Sequence, residues 1–377
     1  MNTEDTGPTV NQAAYNTMAA LLTAHEKYLR GDGGGRRLAM KFADLSGFTF
    51  QNRNFSQAEL SGSTMTGAKL AASKFVGTSL FCCNLTEADL RAVDFRRADL
   101  RGVILKGANL YGANLDEADF REAMLVRADQ KNAFREARSF GRDAEQGLRK
   151  VDFRHCSLKR ARLGDAKLQG ADFSGVNLSG ANLKGADLRS AKFNGAILSD
   201  VDLKGVRIDT DAIKDCILSP NEDAIARVPE LMKALAEAEA WAIGSTQPGG
   251  AAHIRLADMR PLGSALQNRK LPKSRFEDCR FIESDFSGST LAGSQFIRCD
   301  LRGAQFAGCD LRGARFENCV LSFADFRSAQ LGAIASGSGE RLDVDFTGSS
   351  TVAAQFSAAD RERLNLAETP GTNRAVG

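Results

Sequence analysis

Residue types that carry catalysis are scarce in this 377-residue chain, which has only three histidines: His25, His155 and His253. None of them stands beside a nucleophile and a carboxylate in a recognisable motif, although a triad assembled from distant residues stays open. The glycine-rich run at 31–35 lacks the Lys-Ser/Thr of a phosphate-binding loop and is interpreted as a linker. The sequence therefore predicts no catalytic residue, no cofactor site and no metal site, and we do not expect an enzyme.

The chain also lacks a strong excess of charge and a long apolar run. Lys and Arg number 50 against 47 for Asp and Glu, a net charge of +3, whereas strong nucleic-acid binders are usually more basic. No run of about 18 apolar residues could span a bilayer, and residues 1–5 do not resemble the start of a signal peptide. We therefore expect a soluble cytoplasmic protein, with no membrane partner and no direct nucleic-acid binding.

What the chain does have is a Leu or Phe every five residues, with a small residue two positions before it. Examples are Ala88-Asp89-Leu90, Ala98-Asp99-Leu100, Ala108-Asn109-Leu110, Ala118-Asp119-Phe120 and Ala186-Asp187-Leu188. An amphipathic helix requires spacings of 3 and 4, and a half-buried strand requires alternation, so a period of five fits neither. With the large residue at position i, the pattern predicts that i and i−2 point inward while i−1, i+1 and i+2 face water. Each unit then forms one wall of a solenoid coil.

These A(D/N)LXX units resemble the pentapeptide-repeat proteins. The resemblance implies an all-β solenoid, a right-handed quadrilateral β-helix with about 20 residues per coil and coils about 4.8 Å apart. The phenylalanines support four walls independently, because Phe55, Phe75 and Phe95 are spaced by 20 residues. The same spacing relates three further sets: Phe153, Phe173 and Phe193; Phe276, Phe296 and Phe316; Phe286, Phe306 and Phe326.

The repeat register divides the chain. It runs from Leu45 to Leu125, resumes from Phe153 to Leu218, and runs again from Leu271 to Leu331. We predict a capping helix and linker at 1–35, a first solenoid at 36–218 interrupted by 126–152, a second capping helix and linker at 219–252, a second solenoid at 253–331, and a C-terminal cap and flexible tail at 332–377. Phe346 and Phe356 could still belong to a coil, and Ser357 resembles a helix start. We expect 332–366 to cap the end or to form a homodimer contact.

Two segments outside the repeats resemble each other. In the first, a helical stripe that includes Leu22 precedes a glycine link and the sequence Gln51-Asn52-Arg53. In the second, a stripe that includes Leu235 precedes another glycine link and Gln267-Asn268-Arg269. The shared order indicates an internal duplication. Each helix is expected to cover the open N-terminal end of its solenoid, where apolar side chains and strand edges would otherwise face water.

The cysteines and aspartates are interpreted as structural. Seven of the eight cysteines occupy the inward i−2 position: Cys83, Cys156, Cys216, Cys279, Cys299, Cys309 and Cys319. A free cysteine behaves there as a small buried apolar residue, and without a C-x-x-C pair the sequence favours packing over metal binding. The resemblance places the aspartates at i−1 beside turn backbone. On the outside, Asp89, Asp94 and Asp99 interleave with Arg91, Arg96 and Arg101, which indicates a self-neutralising surface.

The interruption at 126–152 is the predicted place of function. It holds seven basic residues and two phenylalanines, and insertions in solenoids form loops that often bind partners. The candidate contact residues are Arg127, Lys131, Phe134, Arg135, Arg138, Phe140 and Arg142. The alternative is a bulged coil or a short helix packed on the solenoid.

Two functions from different classes follow. The first is a non-catalytic scaffold that binds a protein partner. The second, implied by the resemblance, is a DNA-mimicking modulator of gyrase or topoisomerase, of the type that protects gyrase from quinolones. Those family members are shorter and strongly acidic, whereas this chain carries a net charge of +3. A DNA mimic should have a continuous negative face, and a scaffold should have a localised apolar or mixed-charge patch.

Overall fold

The computed structural model describes residues 12–121, 151–244, 249–335, 339 and 341–366. The chain divides at Ser219 and Pro220 into two compact units, called unit 1 and unit 2 below. In each unit, residues at i−1 pair in parallel with i−1 residues of the next coil. In unit 1 the first pairs are Ala39 with Glu59, Asp44 with Thr64, Thr49 with Lys69 and Asn54 with Lys74. Four pairs 20 residues apart make four walls, so the four-walled coil predicted from the phenylalanine spacing is confirmed.

Unit 1 begins with helix α1, Gln12–Arg30, and continues as coils to Ile217, with a 3-10 turn at Thr210–Ile213. Met18 and Leu22 of α1 are buried in the same cluster as the first inward residues of the solenoid. The glycine-rich run after α1 folds back on the helix, because the Arg36 N–H donates to the Ala24 carbonyl. A Cβ on Gly35 would lie 2.4 Å from the backbone nitrogen of Tyr28, so this link requires glycine at position 35.

The ladder of unit 1 continues across the predicted interruption. Asn109 pairs with Asp152, Asn114 with Ser157 and Asp119 with Arg162, each 43 residues apart. The usual separation is 20, so one coil here accommodates 23 extra residues while the walls keep their order. The coils on both sides of the interruption therefore belong to one continuous ladder.

Unit 2 begins with two helices, α2 at Glu222–Ala226 and α3 at Val228–Ala242. Four parallel strands follow in the order β1 (His253–Arg255), β2 (Arg275–Glu277), β3 (Gln295–Ile297) and β4 (Arg315–Glu317). A 3-10 segment, Arg260–Leu266, lies in the first coil. The antiparallel pair β5 (Ile334–Ala335) and β6 (Arg341–Leu342) and a final helix α4 (Ala358–Arg363) complete the unit.

Unit 2 extends the coils past the boundary predicted at Leu331. Arg315 pairs with Asp345, 30 residues on, and the Phe316 ring stacks on Phe346 with centroids 5.0 Å apart. Phe356 stacks on Phe326 in the same way at 4.9 Å. The sequence register breaks at Leu331 because ten extra residues, which include β5 and β6, enter before the next wall.

The interior of each coil is filled as the pattern predicts. Phe55 stacks on Phe75 at 4.6 Å, and Phe153 stacks on Phe173 at 5.0 Å. Stacks of this kind bury large apolar area and add ring–ring attraction.

Hydroxyls and thiols at i−2 follow one hydrogen-bond rule, which the sequence alone did not give. The Ser73 hydroxyl donates to the Phe50 carbonyl at 2.7 Å, and the Cys309 thiol donates to the Phe286 carbonyl at 2.7 Å, in both cases 23 residues back. Because each buried donor has an acceptor, Ser, Thr and Cys are tolerated inside the coil. All eight cysteines are free, and burial raises the pKa of the Cys83 thiol to about 12.

Candidate interaction surfaces

The predicted partner-contact residues fall outside the part of the chain that the structure describes. They are Arg127, Lys131, Phe134, Arg135, Arg138, Phe140 and Arg142, all within 122–150. Their role stays a prediction, and the surfaces described next are those of the walls and of the helices at the ends of the two units.

Aspartates on the walls are paired with arginines two residues later. Oδ1 of Asp310 accepts the Arg312 backbone N–H at 3.2 Å and its Nε–H at 2.8 Å, while Oδ2 accepts from Nη2 at 2.7 Å. The Arg312 guanidinium lowers the pKa of the Asp310 carboxyl. The described walls contain ten such Asp–Arg pairs. Each holds the backbone at the corner of the coil and neutralises a carboxylate.

One wall of unit 2 differs, because several cations converge there on a single buried carboxylate. Glu277 on β2 keeps 9% of its side chain exposed. Its oxygens lie 3.1 Å from Arg255 Nε, 3.5 Å from His253 Nε2 and 3.9 Å from Arg298 Nη2, and Arg275 Nε also donates to it. The Arg275 guanidinium lowers the pKa of Glu277. His253, the first residue of the predicted second solenoid, thus lies on β1 at this cluster.

Sequence reasoning missed this cluster, although a signal was present. Elsewhere the acid precedes the large residue and the arginine follows it. In Arg275-Phe276-Glu277 and Arg315-Phe316-Glu317 the order is reversed. These segments form three-residue strands where most walls have single-residue pairs.

The helices that begin the two units are fixed by the same kind of contact. The carboxylate of Glu26 in α1 accepts from Arg53 and also from the backbone N–H of Asn54 at 3.0 Å. In unit 2, Glu239 of α3 accepts from Arg269 at 2.9 Å and from the backbone N–H of Lys270 at 3.1 Å. The two arginines are those of the repeated Gln-Asn-Arg sequence, so the likeness noticed in the sequence extends to matching contacts.

The remaining histidines have structural surroundings. His25 is fully buried, where its Nδ1 accepts the Leu38 N–H at 3.0 Å and its Nε2 lies 2.9 Å from the Ser56 carbonyl oxygen. The ring is therefore neutral with its proton on Nε2, and burial lowers its pKa. The ring of His155 packs against Tyr111, with centroids 5.2 Å apart.

Metal-binding and membrane-spanning features were sought in the described ranges. There, no three His, Cys, Asp or Glu side chains come together so as to hold a metal ion. In the same ranges, no helix combines the length and apolar character needed to cross a bilayer.

The ladders, stacked rings and inward small residues define a β-solenoid built from five-residue units. The family model described as pentapeptide repeats matches residues 43–80, 83–122, 148–185, 171–208 and 299–332, and a second pentapeptide-repeat model matches 271–315. Together the two models cover more than half of the chain. The chain belongs to the pentapeptide-repeat family, whose fold is a right-handed β-helix-like solenoid.

Several solved structures are similar to this chain. HetL from the cyanobacterium Nostoc, a pentapeptide-repeat protein involved in heterocyst differentiation regulation, is 19% identical, covering 84% of this chain and 96% of that chain with a TM-score of 0.18. A trypsin-treated form of QnrB1, a plasmid-mediated fluoroquinolone resistance protein, is 21% identical over 52% of this chain and 96% of its own, with a TM-score of 0.31. Rfr23 from the cyanobacterium Cyanothece is 18% identical over 54% and 99% of the two chains, at 0.22. No curated protein matches the sequence.

Proposed function

We propose that this protein is a non-catalytic scaffold that binds a protein partner on the surface of a capped solenoid. Two tandem quadrilateral solenoids provide the walls, and α1 and α3 cap their N-terminal ends. A regular solenoid offers much surface for its mass and needs no active site to use it. We place it in the cytoplasm, and a homodimer through its C-terminal end remains part of the proposal.

The observation that carries this proposal is the pairing of aspartates with arginines along the walls. A DNA mimic requires a continuous negative face, because such a face takes the place of the phosphate backbone. The ten neutralised aspartates and the cluster around Glu277 instead favour a mixed-charge surface suited to a protein. We therefore rank the gyrase-modulator function second.

The segment between the two halves of unit 1 is the proposed contact. Its aromatic residues Phe134 and Phe140 would anchor the partner, and its basic residues would steer the approach. Asp119 and Arg162 pair across it, so the ladder of unit 1 continues on both sides of this segment.

Affinity purification of the tagged full chain, followed by mass spectrometry, tests the proposal. Replacing 127–150 by a short Gly-Ser link should preserve folding and abolish capture of the partner. A second variant that keeps the chain length, Arg135→Glu with Arg138→Glu and Arg142→Glu, should also lose capture, whereas Lys184→Glu on a wall should not. If both folded variants still capture the partner, the contact lies elsewhere on the protein. Unfolding of the replacement variant would make the segment structural, as the alternative prediction states.

A further inference from the structure

We propose that the outer face of β1–β3 in unit 2 is a docking surface for a short acidic segment of a protein partner. This surface, called the arginine wall, consists of His253, Arg255, Arg275 and Arg298 around Glu277. The inference rests on the proposed scaffold function, because it takes the bound molecule to be a protein.

Positive charge is in excess on this wall and lies outermost. Glu277 is 9% exposed, whereas the side chains of Arg255 and Arg298 are 58% and 51% exposed. Asp278, the second carboxylate of the cluster, binds Arg298 at 2.7 Å and is 29% exposed. Three guanidiniums thus face two carboxylates. A guanidinium has five N–H donors in a planar fork, so one already bound to Glu277 can bind a second carboxylate from outside.

The pairing of acidic and basic residues on this wall also differs from the pairing on the other walls. On the other walls an aspartate at i−1 binds the arginine two residues later, as Asp310 binds Arg312. On β2 the arginine takes the i−1 position, and Arg255, Arg298 and His253 from neighbouring strands and corners gather at the same acid. The carboxylate is inside the cluster and the cations are at its rim. This distribution complements an acidic ligand and repels a basic one.

The size of the wall favours a peptide over a nucleic acid. Three coils extend over about 10 Å, because successive strands lie about 4.8 Å apart. On the next two coils Arg315 is bound by Glu317 at 3.1 Å and by Asp345 at 3.5 Å, so carboxylates border the positive region. A nucleic-acid site commonly draws on about 6–10 phosphate contacts, which this area does not offer. An extended peptide places alternate side chains about 7 Å apart on one face, so two or three acidic residues would span the wall.

Fluorescence anisotropy on the full chain tests the proposal. The probe is a fluorescein-labelled eight-residue peptide of alternating Glu and Ser. Binding should weaken as salt is raised, since it depends on exposed charges. The double variant Arg255→Gln with Arg298→Gln should weaken binding by about tenfold, and Arg255→Gln alone should act in the same direction. Arg312→Gln with Arg327→Gln, which removes two exposed arginines from other walls of unit 2, is the matched control and should bind like the unaltered chain.

Three results would overturn the arginine wall: no binding of the peptide at low salt, an equal loss in the control, or tighter binding of a 20-base-pair DNA duplex than of the peptide. Melting temperatures of all variants ensure that only folded chains are compared. The test separates this inference from the scaffold function. If the acidic peptide does not bind while the unaltered chain still captures natural partners, the arginine wall is wrong and the scaffold function stands. If the unaltered chain captures none, the scaffold function itself fails.

Discussion

Glu26 of α1 accepts two hydrogen bonds from Arg53 of the first coils, Nε to Oε1 and Nη2 to Oε2, both 2.9 Å long. Both side chains are mostly buried, with 21% and 28% exposed. Breaking one partner of a half-buried charged pair leaves the other poorly solvated, so the contact should matter more than an ion pair in water.

Glu26→Gln is therefore expected to lower the free energy of unfolding by about 1–3 kcal/mol. Asp32→Asn provides the control, because the Arg30–Asp32 pair is exposed and should contribute under about 1 kcal/mol. Urea unfolding followed by circular dichroism measures both. Equal effects would mean that α1 is not held through Arg53.

His25 should make unit 1 sensitive to mild acid. Its pKa in the folded protein lies below the ordinary 6.5 because the ring is buried. The unfolded chain therefore binds the proton first, and the stability that the neutral ring contributes is present above about pH 6.5 and declines as the pH falls toward the folded pKa. Protonation of Nδ1 would also remove the acceptor of the Leu38 N–H.

The measurement is the unfolding free energy of the full chain at several pH values between 7.5 and 5. His25→Gln should flatten the decline, while His155→Gln, at a corner of unit 1, should leave it unchanged. A decline of the same steepness in all three proteins would assign it to other groups.

Gly35 is predicted not to tolerate alanine, whereas Gly33, two residues earlier, should tolerate it. The added methyl would meet the backbone of Tyr28 at 2.4 Å, whereas a methyl on Gly33 meets nothing within 4 Å. Gly35→Ala should cost about 1–3 kcal/mol through overpacking, and Gly33→Ala should be neutral or slightly stabilising. Thermal unfolding of the two variants measures this difference in stability. Similar melting temperatures would show that the link does not pack on α1 as described.

Leu183 and Lys184 are neighbours with opposite environments. Leu183 is 1% exposed between coils, and Lys184 is on the outer surface. Leu183→Ala should lower the unfolding free energy by about 2–5 kcal/mol, the usual cost of truncating a buried leucine. Lys184→Ala should have nearly no effect. Denaturant unfolding of both variants would contradict the inward and outward assignment if it gave the same midpoint.

Cys279, Cys299 and Cys319 occupy one wall and should react slowly with thiol reagents. Each is 1% exposed, and their wall is fixed by the pairing of Arg280 with Asp300 and of Asp300 with Val320. Native protein treated with a chromogenic disulfide reagent should show these thiols only after denaturant is added. Rapid native labelling, mapped by mass spectrometry, would refute their burial.

The coil could be predicted from the sequence alone, because the five-residue period of the repeat is set by the packing of side chains inside each turn of the solenoid. The spacing of Phe55, Phe75 and Phe95 predicted their stack, and α1 and α3 lie within the segments 1–35 and 219–252 that were predicted as helix and linker. The boundary at Leu331 was placed too early, since a break in register looks the same whether the solenoid ends or merely takes in extra residues.

The cluster at Glu277 was missed in the sequence for a different reason. The side chains around Glu277 belong to His253, Arg255, Arg275 and Arg298, which are far apart in sequence and meet only when coils stack. The predicted contact residues of 127–142 stay untested, because they fall outside the described ranges.

The offsets of 43 residues in unit 1 and 30 in unit 2 bear on how such a chain can change its length. In both units, each described pairing beyond the extra residues resumes on the correct wall. Closing a longer loop costs little more free energy than closing a short one. An insertion at a corner can therefore be of any length, but a single residue added between i−2 and i would turn an inward side chain outward. Corners are thus the places where this fold can acquire new segments, and where a foreign peptide could be grafted without disturbing the coils.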